Sequence, residues 1–512
     1  MRPWPQFDGL DRAVGERRRT SGQTFEVEAA CGPVLGRWRA GVLEFLGIPY
    51  AEAPVGPLRF AAPVRKRRFE TVFAALEYGD AAPQQSPLPQ SLGRLFGMAT
   101  SQSEKCLNLN VWTPGTEGKR PVLVFVHGGA FVIGSGAQYP GGDLARRGDC
   151  VIVTINYRLG LAGFNGFPEL FPGDERFAAN PGLLDQRCAL RWVQDNIEAF
   201  GGDPGQVTLA GESAGAASVA FHLVAEDSKP LFHQAILQSG GLNLFYPRDH
   251  AGSLAARVAK ALGASGDPDR LFDVSALRLA SSLDDVEGEK LGVVARPYVD
   301  GVDIPDRPLG EILTLIKPCP TMIGTNRDEL AFFIDLPLFP FEWSKPAMEA
   351  YVTWVSDADQ ARTISDLYQD DHDGLIGFGT DLLFRMPAIH AADFQASQAS
   401  TFMYRLDWKA KGLLARQGAT HSVDLPLLFE DFLKPFRSVY LGVMPDHRRQ
   451  ALALRMRDHW LSFVREGRPG VDWPAYETGR RETMIFDLED RVMHDPERVH
   501  RIVWKGIDGW TY

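Results

Sequence analysis

Five consecutive apolar residues, Val122-Leu123-Val124-Phe125-Val126, constrain the fold more than any other stretch of this chain. A strand with one face in water alternates apolar and polar residues, whereas an unbroken apolar run buries both faces. Strands of that kind belong to parallel sheets covered by helices on each side. Val151-Ile152-Val153-Thr154-Ile155 has nearly the same character, and 207–210, 235–237, 321–323 and 402–406 supply further strands. Leu183, Leu184, Leu190, Trp192, Val193 and Ile197 recur at near-helical spacing, as an amphipathic helix requires. Strand, helix, strand in repetition predicts an α/β fold with a large, mostly parallel central sheet flanked by helices. Ahead of it, 24–28 and 42–45 alternate in the manner of a small N-terminal antiparallel meander.

The 512 residues include 51 Gly and 35 Pro with no three-residue period, which excludes collagen and predicts many tight turns. Length alone permits several domains. No repeat, low-complexity tract or linker divides the chain, so a single domain over 1–512 is expected, with partly helical insertions at about 249–400. The net charge is -11, from 54 basic and 65 acidic side chains, and this argues against nucleic-acid binding. Arg17-Arg18-Arg19 is followed by polar residues, not the apolar stretch of a signal peptide. The most apolar segment, 122–133, is broken by His127 and two glycines, so no membrane span is expected. Five cysteines, at 31, 106, 150, 188 and 319, are widely spaced without a CxxC pair. Neither a disulfide framework nor a zinc site is expected, and a reducing cytoplasm is the expected home. A monomer or weak homo-oligomer is expected.

Gly211-Glu212-Ser213-Ala214-Gly215 follows one strand and precedes Ala216-Ala217-Ser218-Val219-Ala220. G-x-S-x-G between a strand and a helix is the setting of a nucleophilic serine on a sharp turn. A plain glycine-rich turn is the competing reading. Upstream, His127-Gly128-Gly129-Ala130-Phe131 ends the strongest strand. Small residues there let backbone N–H groups approach a reacting oxyanion. Gly129, Ala130 and Ala214 are the expected donors, with Gly128 and Phe131 lining the site. Of 11 histidines only His127 precedes Ser213. His421, in the small-residue loop Gly418-Ala419-Thr420-His421-Ser422, suits a general base. His222, His390 and His459 sit in helical patterns. The acid that orients the imidazole has three candidates: Glu329, just after a strand, Asp328 and Asp300.

Longer motifs bear on that choice. The segment 45–60 carries Phe45-Leu46-Gly47-Ile48-Pro49-Tyr50-Ala51 and Gly56-Pro57-Leu58-Arg59-Phe60. Glu104-Lys105-Cys106-Leu107-Asn108-Leu109-Asn110-Val111-Trp112, Asn180-Pro181-Gly182-Leu183-Leu184-Asp185-Gln186, Gln238-Ser239-Gly240 and Trp473-Pro474-Ala475-Tyr476 follow in order. Together, over about 34–484, they resemble the type-B carboxylesterase family, which includes bacterial para-nitrobenzyl esterases and the cholinesterases. The resemblance implies an α/β-hydrolase fold with helical insertions over the site. It also implies a triad of Ser213, Glu329 and His421, the Glu lying in Asn326-Arg327-Asp328-Glu329. It implies an oxyanion hole from Gly129, Ala130 and Ala214, and acidic site-lining positions at Glu212 and Asp424. Three departures stand out: Cys106 lacks the upstream cysteine with which secreted members pair it, Lys105 replaces an Asp, and Leu330 replaces a Gly.

The expected reaction is hydrolysis of a small-molecule carboxylic ester through an acyl-enzyme, with no metal or cofactor. Activity is expected to fall below about pH 6 to 7, where an ordinary histidine protonates. Phe332, Phe333, Phe339, Phe341 and Trp343 follow the acid. They read either as core or, for the four phenylalanines, as a substrate pocket favouring aryl or short-to-medium-chain acyl groups. The alternatives are carbamate, amide or polyester cleavage by the same machinery, or a non-catalytic binding protein of this fold.

Overall fold

The computed structural model describes residues 22–85, 101–286, 295–335, 343–410, 418–432, 437–442, 446–505 and 507. Phe339 and Phe341 lie outside the described residues. The strands are β1 (Thr24–Ala29), β2 (Gly32–Arg39), β3 (Val42–Pro49), β4 (Phe73–Ala74), β5 (Asn108–Thr113), β6 (Arg120–Val126) and β7 (Val151–Ile155). After them come β8 (Gly202–Glu212), β9 (Gln234–Gln238), β10 (Thr321–Asn326), β11 (Thr401–Leu406), β12 (Glu482–Phe486) and β13 (Arg491–His494). All 13 join one sheet, in the order β1-β2-β3-β5-β7-β6-β8-β9-β10-β11-β12-β13, with β4 on β2. From β7 through β12 every neighbouring pair is parallel. The margins are antiparallel, except that β4 lies parallel to β2.

The unbroken apolar runs have a direct cause. Val122, Val124 and Val126 enter one buried cluster, while Leu123 and Phe125 enter another on the opposite face. Strand β9 divides in the same way, Ala235 and Leu237 to the first and Ile236 to the second. Successive side chains of a strand point to opposite faces, so a strand between two helical layers needs apolar residues at every position.

The longer helices include α1 (Pro181–Asn196), α2 (Ala214–Val224), α3 (Arg248–Ala261), α4 (Met386–Ala396) and α5 (His447–Glu466). α2 packs on β8, β9 and β6, and α5 contacts β6. The close seat of α2 depends on glycine. A Cβ on Gly215 would stand 2.1 Å from the Val126 carbonyl oxygen, and one on Gly211 2.4 Å from Gly215. The stretch 249–400 is not a separate layer, because β10 lies inside it and pairs with β9 and β11 within the sheet. Its helices are therefore two insertions, one before β10 and one after. No helix among the described residues is long and apolar enough to cross a membrane.

Candidate active site

Parallel strands deliver their carboxyl ends to one edge, where sites in open α/β sheets form. Here β6 ends at Val126, just before His127-Gly128, β8 at Glu212, just before Ser213, and β10 three residues before Glu329. Ser213 has φ 56° and ψ -124°, a conformation L-residues rarely adopt. Its amide donates to the Gln238 carbonyl at 2.8 Å, anchoring the turn to the end of β9. Ala214 opens α2, so its N–H belongs to the first turn, which has no partner within the helix. That helix end also carries the positive pole of the backbone dipole.

The loop after β6 crowds this turn. A Cβ on Gly128 would lie 2.7 Å from the Glu212 carbonyl oxygen and 3.1 Å from Ser213 Cβ. Gly129 (φ 110°), Ala130 (φ 54°) and Phe131 (φ 63°) are all left-handed. A tight turn follows, with the amides of Val132 and Ile133 both donating to Gly129 O at 3.0 Å. The Phe131 ring is fully buried against Phe164, centroids 4.7 Å apart, and so supports the loop from below. His127 stacks on Tyr157 at 4.5 Å, and the Tyr157 hydroxyl donates to His127 O at 2.8 Å. Burial pushes the His127 pKa down to about 4, against the pull of its Gly128 carbonyl contact, so this ring is neutral.

His421 and Glu329 meet from different elements, with Nδ1 to Oε2 at 2.7 Å and both side chains buried. The other Glu329 oxygen, Oε1, accepts from the Asn326 amide at 2.6 Å. The Nε2 edge of His421 lies 3.3 Å from Glu212 Oε1, on the residue preceding Ser213. Ser422 donates its hydroxyl to that same oxygen at 2.6 Å. Asp424 accepts from Gln238 Nε2 at 2.6 Å and from Asn326 Nδ2 at 3.3 Å. Trp460 of α5 donates to Gln238 Oε1 at 3.3 Å. The two rival acids have other work. Asp328 accepts from the Ala419 amide at 3.0 Å, and Asp300 accepts from three backbone amides of its own turn.

Three carboxylates around one imidazole set the electrostatics. Burial alone disfavours the His421 imidazolium. The charge of Glu212, the hydrogen bond and charge of Glu329 and the charge of Asp424 outweigh it and push the pKa up to about 9. For Glu212, burial and the charges of Asp424 and Glu329 outweigh His421 and the Ser422 hydroxyl, pushing it up to about 7. Asp424 is also raised, by burial and Glu329, against its hydrogen bonds and His421. An imidazole so placed keeps its proton to higher pH than an ordinary histidine.

Phe332, Phe333 and Phe384 put ring centroids 6.3, 5.2 and 4.8 Å from that of His421. Sequence reasoning missed Phe384. It sits in a π-helical turn, Asp381–Arg385, and such turns gather at functional sites. Asp381 pairs with Arg385 and accepts from Tyr368 at 2.6 Å, and His500 Nδ1 lies 2.6 Å from it. No sequence period announces this turn. Ser422, Asn326 and the Gln238 side chain were also missed as site groups, although each lies beside a residue already singled out. Leu330, where the family pattern has Gly, is fully buried, and a Cβ on Gly379 would stand 2.0 Å from its Cδ2. The larger side chain is therefore matched by a glycine opposite.

The carboxylesterase family model matches residues 23–503. The chain belongs to the carboxylesterase family. It is 37% identical over 484 residues to the para-nitrobenzyl esterase of Bacillus subtilis (strain 168), covering 92% of this chain and 96% of that one. The solved structure of a thermophilic PNB esterase superposes with a TM-score of 0.85 at 34% identity, covering 93% of this chain and 99% of that one. A Geobacillus stearothermophilus carboxylesterase superposes with a TM-score of 0.81 at 33% identity, covering 94% and 100%. The fold is thus the α/β-hydrolase fold, and the family member described here is a carboxylic ester hydrolase, which sets aside the non-catalytic alternative.

Proposed function

We propose that this carboxylesterase works through an acyl-enzyme on Ser213, with His421 as general base and Glu329 as the group that orients it. The observation that carries the reading is the buried 2.7 Å contact between His421 Nδ1 and Glu329 Oε2. It fixes the imidazole with its Nε2 edge 3.3 Å from Glu212 Oε1, on the residue preceding Ser213. Ser213 Oγ attacks the ester carbonyl as His421 takes its proton. The N–H groups of Gly129, Ala130 and Ala214 receive the oxyanion, and the Ala214 amide is favoured by the first turn of α2. His421 next protonates the leaving alcohol. Water, activated by the same imidazole, then releases the acid.

Glu212 and Asp424 add negative charge around the imidazolium that forms in each step, which stabilises it. The Phe332, Phe333 and Phe384 rings beside His421 favour aryl and short-to-medium-chain acyl esters. Carbamates, amides and polyesters require the same attack, and the leaving group separates them. All five cysteines are buried and unpaired, in keeping with a reducing, cytoplasmic setting. A panel of nitrophenyl acyl esters tests the reading with the wild-type chain and Ser213→Ala. Wild type is expected to turn over the acetate through hexanoate esters, and the variant is expected to lose that turnover. Turnover retained by Ser213→Ala sinks the assignment.

A further inference from the structure

A second cavity, of about 530 Å³, lies away from His421, between the short helices Leu425–Leu428 and Arg437–Leu441 and the long helix α5. That volume suits a small organic ligand. Its apolar wall is Leu427, Leu441, Ala453 and Leu454. Its charged wall holds three guanidiniums, Arg437, Arg449 and Arg457, against one carboxylate, Glu430.

The three arginines are not equivalent. Arg457 is fully engaged, with Nη1 on Asp143 at 3.0 Å and Glu430 at 3.2 Å and Nε on the Leu427 carbonyl at 2.9 Å. Arg449 donates Nη1 to the Leu441 carbonyl. Arg437 has a buried Nε–H that meets no acceptor. No ion pair holds its guanidinium among the described residues, although Glu430 and Asp431 precede it and Asp446 follows it along the chain. Burial works against its charge, with Arg457 and Arg449 adding to that effect and Glu430 and Asp431 opposing it. A half-buried guanidinium whose buried Nε–H meets no acceptor, beside an apolar wall, suits one singly charged, planar acceptor carrying hydrocarbon.

We propose that this cavity is a second binding site, for a carboxylate with an aliphatic tail. Arg437 holds the head group through Nε and its neighbouring N–H, and the leucines and Ala453 cover the tail. Carboxylates of this class are what ester hydrolysis releases, so the site is matched to the product side of the reaction. It is also joined to the chemistry by a short connection, since Leu427 lies six positions after His421. The inference does not depend on which residues carry ester cleavage.

Octanoate is titrated calorimetrically into the wild-type chain, Arg437→Glu and Arg437→Gln, with octanol and inorganic phosphate testing tail and charge separately. Wild type is expected to show a saturable octanoate site whose affinity falls at least about tenfold in both variants. Nitrophenyl acetate hydrolysis is expected to stay within about twofold, showing that the variants fold and keep the ester site. Should Arg437→Glu fail to fold, the neutral Gln variant carries the comparison. Equal octanoate affinity in all chains, or no saturable binding in wild type, overturns the proposal. Octanol or phosphate binding as tightly as octanoate overturns it too.

Discussion

Replacing Glu212 by Gln removes the largest upward push on His421 while keeping the shape of the side chain. Glu212 Oε1 lies 3.3 Å from His421 Nε2. Two unit charges at that distance attract by about 5 kcal/mol at an effective dielectric of 20. The carboxylate charge is shared by two oxygens and the imidazolium charge by a ring, so the effect is smaller. Since one pKa unit corresponds to about 1.4 kcal/mol, a downward movement of at least about one unit is expected. The sign follows from the role proposed for the imidazole. His421 accepts a proton only when neutral, so activity is low below its pKa and rises through it. With the pKa pushed up to about 9, the acid limb of kcat/KM in wild type stands above the ordinary histidine value. In Glu212→Gln it moves toward lower pH, because the neutral amide no longer favours the charged ring. The assay is kcat/KM for nitrophenyl acetate by pH-stat from about pH 5 to 10. A limb at the same pH in both chains, within about 0.3 unit, refutes the electrostatic coupling between Glu212 and His421. A merely structural Glu212 lowers the rate at every pH without moving the limb.

In Gly129→Ala the new Cβ would stand 2.1 Å from the Ile133 carbonyl oxygen at a φ of 110°, so the loop shifts. The expected loss in kcat is about 10²- to 10³-fold with KM little altered, and initial rates within about twofold of wild type would remove Gly129 from the oxyanion site. Phe384→Ala opens the space 4.8 Å from the His421 ring and is expected to change the hexanoate-to-acetate preference by about tenfold. An unchanged preference means that the ring only packs. Leu330→Ala empties a fully buried site and is expected to cost about 2 to 5 kcal/mol in urea unfolding, whereas a loss below about 1 kcal/mol means that the neighbourhood closes over the gap.

Fold class was legible because two physical requirements write themselves into local sequence. A strand covered on both faces must be apolar throughout, as at Val122–Val126, and a helix seated tightly on a sheet must carry small residues, as at Gly215–Ala217. The serine turn and the glycine loop were legible for a related reason, since close backbone approach admits only tiny side chains. By themselves, though, residue patterns left Glu329, Asp328 and Asp300 equivalent, and the longer family motifs separated them. The β12–β13 margin went unread, its exposed last strand being short and polar.

Only the tertiary structure decided what depends on contacts between distant segments. Ser422 reaches Glu212 across 210 positions, and Gln238 reaches Asp424 across 186. Phe384 arrives beside His421 on a π-helical turn held by Asp381, Arg385, Tyr368 and His500. A pKa is likewise a property of a neighbourhood, so the upward push on His421 has no local signature. Sequence alone determined the layers and the small-residue turns because those demands fall on neighbours along the chain. The charge environment of His421, and the Arg437 Nε–H left without an acceptor, were decided by folding because both depend on which groups come within a few ångströms.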